Sequence, residues 1–222
     1  MSSGASPAPA SPELYRRLAE LYRDQSPLVR WYVHCRARYY PLATCFKHLP
    51  PRGNIIDMGC GDGVLTLLLA LQLPEATIVG YDPNCRRLVH ARRASAGLKN
   101  VSFIESDWMN ARCGPFDAMV LVDVLHHVSY AEQAAMLRSC VAGLKPSGVV
   151  VINETDPSTP VRWRYWWNYL SDVLLYPTSE RCQFRTPTQM TVMLQDAGLR
   201  IQIQPLNGAF GFSTIAYIGT KL

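Results

Sequence analysis

The sequence predicts an α/β fold, a doubly wound and mostly parallel sheet of seven strands whose last strand runs antiparallel. Three observations carry that expectation. From Asn54 onward, short apolar runs alternate with helical patterns, the rhythm of repeated βα units. The first run, Asn54-Ile55-Ile56-Asp57-Met58, ends on an acidic residue. It passes into Gly59-Cys60-Gly61-Asp62-Gly63, a strand-to-helix loop with glycines at alternate positions. The chain closes on two strand patterns joined across Asn207-Gly208, a hairpin signal.

Taken in order, residues 1–12 are rich in Ser, Ala and Pro and read as a flexible tail, with no basic residue leading into an apolar run as a signal peptide requires. Residues 13–50 read as a helical cap. Ser11 and Pro12 suit a helix start, and Leu14, Leu18, Leu21 and Tyr22 share one face of a helix from Pro12 to Arg23. A second helix is expected over Pro27 to Tyr40, with Leu28, Trp31, Tyr32 and Cys35 on its apolar side. Pro41 interrupts it, and a weaker helical stretch to His48 stops at Pro50-Pro51.

Residues 51–222 carry the sheet. Strands are expected at Ile55 to Met58, Ala76 to Tyr81, Val101 to Glu105, Phe116 to Val122, Val149 to Asn153, Leu199 to Leu206 and Phe212 to Gly219. The fourth is almost continuously apolar, as a strand buried on both faces should be. Helices are expected at Gly63 to Gln72, Asn84 to Ala96, Ser129 to Leu144 (with Ser129 as cap) and Thr186 to Ala197. One segment breaks the rhythm: residues 155–185, with Trp163, Tyr165, Trp166, Trp167 and Tyr169, are too long for an ordinary connection and read as an aromatic helical insertion.

The 222 residues suit one domain with an added cap, and 48% hydrophobic against 18% charged residues is globular. The net charge of +5 is spread over pairs such as Arg86/Arg87 and Arg92/Arg93, which suit solvated helix faces better than a nucleic-acid track. Seven cysteines without paired spacing suit reduced thiols in the cytoplasm, and no Cys/His spacing argues for a metal site. No apolar stretch approaches the ~20 residues of a membrane span.

The loop departs from the dinucleotide fingerprint, because Val64 stands where that pattern needs Gly or Ala; this disfavours a nicotinamide dehydrogenase. The series Asp57-x-Gly59-x-Gly61-x-Gly63, then Tyr81-Asp82-Pro83, Ser106-Asp107-Trp108 and Val122-Asp123-Val124-Leu125-His126-His127, resembles the class I S-adenosylmethionine-dependent methyltransferases. The resemblance covers Asn54 to about Leu222 and implies their Rossmann-like fold, with S-adenosylmethionine as cofactor. It further implies that Gly59, Cys60, Gly61 and Gly63 lie beside the methionine moiety and ribose. Asp57 would fix the loop and the cofactor's ammonium group, Asp82 with Pro83 beside it would take the ribose hydroxyls, and Asp107 and Trp108 would hold the adenine, with Asp123 completing the set. The fourth motif lacks the Asn/Asp-Pro-Pro-Tyr/Phe sequence of amino-methylating enzymes, which counts against nucleic-acid bases and protein glutamine as acceptors.

Methyl transfer asks the protein for alignment, exclusion of water and, for an oxygen nucleophile, a base. His127 and His126 are the best-placed titratable groups, and Asp123, Glu154 and Asp156 at strand ends are further candidates. The aromatic insertion reads as an apolar pocket wall, as a cap helix packed on the core, or as an interfacial helix in peripheral contact with a membrane. The expected acceptor is a small or medium, partly apolar or lipid-like organic molecule. A non-catalytic binding or scaffold subunit with the same fold is the alternative.

Overall fold

A computed structural model describes residues 11–39, 42–107, 114–158, 182–207 and 213–222. The sequence-based expectations for Trp108, the aromatic residues of the insertion and the turn at Gly208 fall outside them. The contacts divide into two compact units, Met1–Asp107 and Trp108–Leu222.

The first unit runs α1 (Pro12–Leu21), α2 (Pro27–Tyr39), α3 (Leu42–His48), β1 (Arg52–Met58), α4 (Val64–Gln72), β2 (Glu75–Asp82), α5 (Cys85–Ala94) and β3 (Val101–Glu105). The second runs β4 (Phe116–Val122), a 3-10 turn (Leu125–His127), α6 (Tyr130–Gly143), β5 (Leu144–Thr155), α7 (Pro187–Asp196), β6 (Leu199–Asn207) and β7 (Ser213–Lys221). Of the seven strands, the first unit arranges its three in the order β3-β2-β1 and the second its four in the order β4-β5-β7-β6. Within the units β1, β2 and β3 pair in parallel, as do β4 and β5, whereas β7 is antiparallel to both β5 and β6.

In the first unit α4 is the core element. Every residue from Val64 to Leu71 is buried, the pattern of a helix covered on all sides, and each fully buried leucine contributes roughly 1.5–3 kcal/mol. Asn100 Nδ2 donates to the carbonyls of Ala70, Leu73 and Ala76 at 3.0, 3.3 and 3.2 Å and so ties the end of α4 to β2. Helices α1 and α2 both pack on α4. In α1, Ser11 accepts from Leu14 N at 3.2 Å, Pro12 takes the first turn, and Leu14, Leu18 and Tyr22 are buried as their spacing predicts.

Helix α2 turns the other way from expectation. Leu28 and Trp31 are 73% and 63% exposed and Cys35 is exposed, while Val33 and Ala37 are buried. Both stripes have helical spacing. The smaller side chains face inward because they let the helix axis come close to its neighbours.

In the second unit β4 is buried almost throughout. Strand β5 starts at Leu144, earlier than predicted, and takes in Pro146, Ser147 at φ +62° and Gly148, with a register shift against β4 between Phe116 and Ala118. The expected turn is therefore an irregularity inside a strand. Ser129 is the N-cap residue of α6, but its hydroxyl bonds the carboxylate of Glu132 at 2.5 Å and caps no backbone N–H. Thr186 does form a capping box: it accepts from Gln189 N at 3.3 Å, and Gln189 Oε1 accepts from Thr186 N at 3.0 Å. Among the described residues no helix is long and apolar enough to cross a membrane, and no disulfide is present.

Candidate active site

The glycine loop of the first unit is held from three directions. Gly59 N and Cys60 N both donate to Tyr81 O, at 2.7 and 3.0 Å, which seats the loop on the end of β2. Asp82, 6% exposed, accepts from Gly61 N through Oδ2 and from Asn84 N through Oδ1, each at 2.8 Å. Each carboxylate oxygen keeps a second lone pair. The outer side is gripped by the leading helices: Tyr22 of α1's C-terminal end donates its hydroxyl to Asp62 O at 2.6 Å. Arg87 binds the Asp62 carboxylate at 2.8 Å and the hydroxyl of Tyr32 on α2 at 3.0 Å.

Gly61 and Gly63 have φ of +55° and +80°, values that side chains beyond glycine rarely adopt. Their missing Cβ atoms make room for this chain's own atoms. A Cβ at Gly61 would lie 2.2 Å from Arg87 Nη2, and one at Gly63 would lie 2.7 Å from Ala91 Cβ and 2.8 Å from Phe103 Cζ. Cys60 is buried, and desolvation drives its thiol far above the usual range, so it is an inert loop residue.

Asp57 is 2% exposed and accepts from Thr66 Oγ1 at 2.6 Å, which locks β1 to α4. Burial pushes its carboxyl up to about 7, with the charge of Asp82 acting in the same direction and the Thr66 hydrogen bond against it. The folded state therefore favours the protonated form. The stabilisation from this proton is fully present below pH ~4 and is lost as the pH rises through about 7. Asp57→Asn should remove that dependence. The unfolding free energy of the variant relative to the wild type should climb between pH 5 and pH 8, by on the order of 2–4 kcal/mol. Parallel denaturation curves across this range would show that Asp57 is ionised throughout. Pro83 follows Asp82 and is exposed, and Asp107 lies half-buried just beyond β3, next to Ser106, whose N–H donates to Asp82 O at 3.2 Å.

The second unit organises the histidine pair around Glu154, a side chain 5% exposed at the end of β5. Its Oε2 lies 2.6 Å from His126 Nδ1, and its Oε1 accepts from Val124 N at 3.1 Å and Leu125 N at 2.8 Å. A carboxylate only accepts, so Nδ1 carries the hydrogen of that bond. His126 is 2% exposed, and its ring stacks on Phe184 with centroids 4.6 Å apart. The His127 ring, half-buried, sits 4.2 Å from that of His126. Asp123, where β4 ends, has φ +56°, a turn conformation that Asp tolerates better than most residues, and its N–H donates to Asn153 O at 3.1 Å. Asp156 is occupied locally, accepting from Ser158 N and Oγ at 2.9 and 2.6 Å.

Gln133, 1% exposed, clamps the turn. Its Nε2 donates to Leu125 O, Val128 O and Gln183 O at 3.1, 3.0 and 2.9 Å, and its Oε1 accepts from Arg185 Nε at 2.5 Å. Gln183 N donates to His126 O at 2.8 Å. Of these parts, sequence reasoning named Glu154 and the histidines but not Gln133, Gln183 or Phe184, and in the first unit it named neither Thr66 nor the contacts of Tyr22, Tyr32 and Arg87. No sequence motif marks them: Thr66 and Gln133 reach partners five to nine residues away, Gln133 a distant one as well, and Tyr22, Tyr32, Gln183 and Phe184 meet theirs only in the folded chain.

A sequence profile of a family described as methyltransferase domain matches residues 33–203. The chain is similar to the ubiquinone biosynthesis O-methyltransferase of Xylella fastidiosa, 28% identical over 163 residues, covering 70% of this chain and 65% of that protein. It is also similar to the protein of the same name from Xanthomonas axonopodis pv. citri, 24% identical over 158 residues, covering 69% and 65%. It thus spans about two thirds of the length of these curated relatives. A SAM-dependent methyltransferase structure from Methanosarcina mazei superposes with a TM-score of 0.64 at 21% identity, covering 82% of this chain and 98% of that one.

Proposed function

We propose a reaction from the premise that this chain belongs to the methyltransferase-domain family, whose profile spans most of its length: transfer of a methyl group from S-adenosylmethionine to a hydroxyl oxygen of a small, partly apolar acceptor. The observation that carries the reading is Asp82. Its carboxylate is fixed by the Gly61 and Asn84 N–H groups, with acceptor capacity remaining on both oxygens. That is what a ribose diol requires.

The loop residues Gly59, Cys60, Gly61 and Gly63 would lie along the amino-acid part of the cofactor, with Asp57 beneath them, and Asp107 would take the adenine amine. Trp108 and Pro83 would lie beside adenine and ribose, and Asp123 would complete the cofactor-binding set. When bound, the sulfonium supplies a methyl carbon already activated for in-line displacement. The chain's part is to hold the nucleophile in line and to receive its proton.

His127 is the base in this reading, because its ring is half-buried whereas His126 is enclosed and bonded to Glu154. His126 positions its neighbour. The relatives named as O-methyltransferases support oxygen as the acceptor atom, and the absence of paired cysteine spacing supports a cytoplasmic setting. A lipid-like acceptor and peripheral membrane contact through residues 155–185 belong to the same proposal. His127→Gln is expected to lower kcat by roughly 10²–10⁴-fold, to leave the cofactor Kd within about twofold, and to abolish the rise of rate with pH that a neutral-imidazole base imposes. A variant with wild-type kcat and pH profile would remove His127 from the chemistry.

A further inference from the structure

The geometry points to a binding site for a zinc-class divalent cation formed by His126, His127 and Cys182, a site that rests on these side chains alone and goes beyond the methyl-transfer reading. One ligand atom from each of the three lies within 4.8 Å of the other two. A tetrahedral zinc with bonds of about 2.0 Å to nitrogen and 2.3 Å to sulfur holds its donors roughly 3.3–3.5 Å apart. The donors therefore need to close by at most about 1.5 Å to take up a metal ion.

The supporting shell is already built. His126 gives Nδ1 to Glu154 at 2.6 Å, so it would ligate through Nε2. A carboxylate behind a histidine in this way fixes the tautomer and strengthens the ligand. The segment that carries Cys182 is anchored to the same turn: Gln183 N bonds His126 O at 2.8 Å, Gln133 Nε2 bonds Gln183 O at 2.9 Å, and the Phe184 ring lies on His126. Cys182 and His127 are only half-buried, which leaves an approach from solvent.

The donor set selects the metal. Two imidazoles and a thiol suit a borderline-soft ion such as Zn²⁺, whereas Mg²⁺ and Ca²⁺ require oxygen ligands. Binding replaces water ligands of the hydrated ion by two M–N bonds and one M–S bond, releasing those waters and the thiol proton to solvent. Three protein ligands leave a fourth position for water. An occupied site consumes the lone pair that a base at His127 needs, so zinc binding and proton transfer exclude each other at this ring.

The test uses the full chain, stripped of metal and kept reduced without thiols, titrated with Co²⁺ and then with Zn²⁺. The expected result is one Co²⁺ per chain, with a thiolate-to-cobalt charge-transfer band and the intense visible bands of four-coordinate cobalt. Zn²⁺ should displace the cobalt and Mg²⁺ should not. Cys182→Ser should lose the charge-transfer band, His127→Gln should weaken binding by at least tenfold, and Glu154→Gln should weaken it by about 10–100-fold with the band retained. Cys35→Ser, which alters an exposed cysteine on α2, should titrate as the wild type. A band that survives in Cys182→Ser, equal competition by Mg²⁺, or no cobalt binding by the wild type would each overturn the site. Because none of these readings requires turnover, their failure leaves the proposed methyl transfer standing, and failure of that reaction leaves the metal site standing.

Discussion

Asp82→Ala is expected to weaken S-adenosylmethionine binding by upwards of a hundredfold, about 3 kcal/mol or more. Two losses add. The ribose loses a charged acceptor, each such bond being worth roughly 1.5–3 kcal/mol. The loop also loses its internal anchor, because the same carboxylate holds Gly61 N and Asn84 N at 2.8 Å. Asp82→Asn separates the two. An amide retains one acceptor, so the loop stays anchored on one side while the second bond to the diol is lost, and the affinity should fall between wild type and alanine. Calorimetry on both variants, each first shown to be folded by circular dichroism, reads this directly. Wild-type affinity in Asp82→Ala would sink the assignment of the cradle.

The second large effect is expected at Glu154. Alanine there strands three donors at once: Val124 N, Leu125 N and His126 Nδ1. Leaving buried partners of a charged group unsatisfied costs about 3–5 kcal/mol. For a chain of this size that corresponds to a fall of roughly 8–15 °C in Tm. Glu154→Gln should behave differently. Its carbonyl still accepts the two backbone N–H groups, so most of the stability returns. Its amide N–H₂ faces a ring nitrogen that also donates, and the imidazole must change tautomer or turn. Glu154→Gln is therefore expected to fold nearly as well as wild type but to transfer methyl groups more slowly, with unchanged cofactor affinity. Equal rates in wild type and Glu154→Gln would show that the orientation of His126 is irrelevant to turnover.

Much of the fold is local in origin and was legible accordingly. The limits of β3 and β4 agree with expectation: β4 because a strand buried on both faces is written as consecutive apolar residues, and β3, which buries only Phe103, because its short run is bounded by polar residues. Helix α7 was announced by Thr186-Pro187 at one end and Gly198 beyond the other, and its capping box involves residues three apart. Where two local patterns competed, the sequence did not decide. In α2 the larger apolar side chains suggested one buried face and packing selected the other. At β5 the Pro146-Ser147-Gly148 turn signal persists as an irregularity between Leu144, paired with Phe116, and Val149, paired with Ala118 and Thr220, so that the strand begins before it.

The candidate site divides along the same line. The positions of Asp57, the glycines, Asp82, Asp107 and the histidine pair follow from strand ends and loop spacing, which any window of the sequence displays. What these groups are bonded to does not. That Arg87 fills the space over Gly61, that Tyr22 reaches the loop, and that Glu154 orients His126 while Cys182 stands beside it all join residues distant along the chain. The sequence by itself determined the order of elements, the family and the place of the glycine loop, because periodicity and turn chemistry act over a few residues. Only the tertiary structure decided the long-range partners of the charged groups, such as Asp62 with Arg87 and Glu154 with His126, because those depend on which surfaces remain adjacent once the chain has folded.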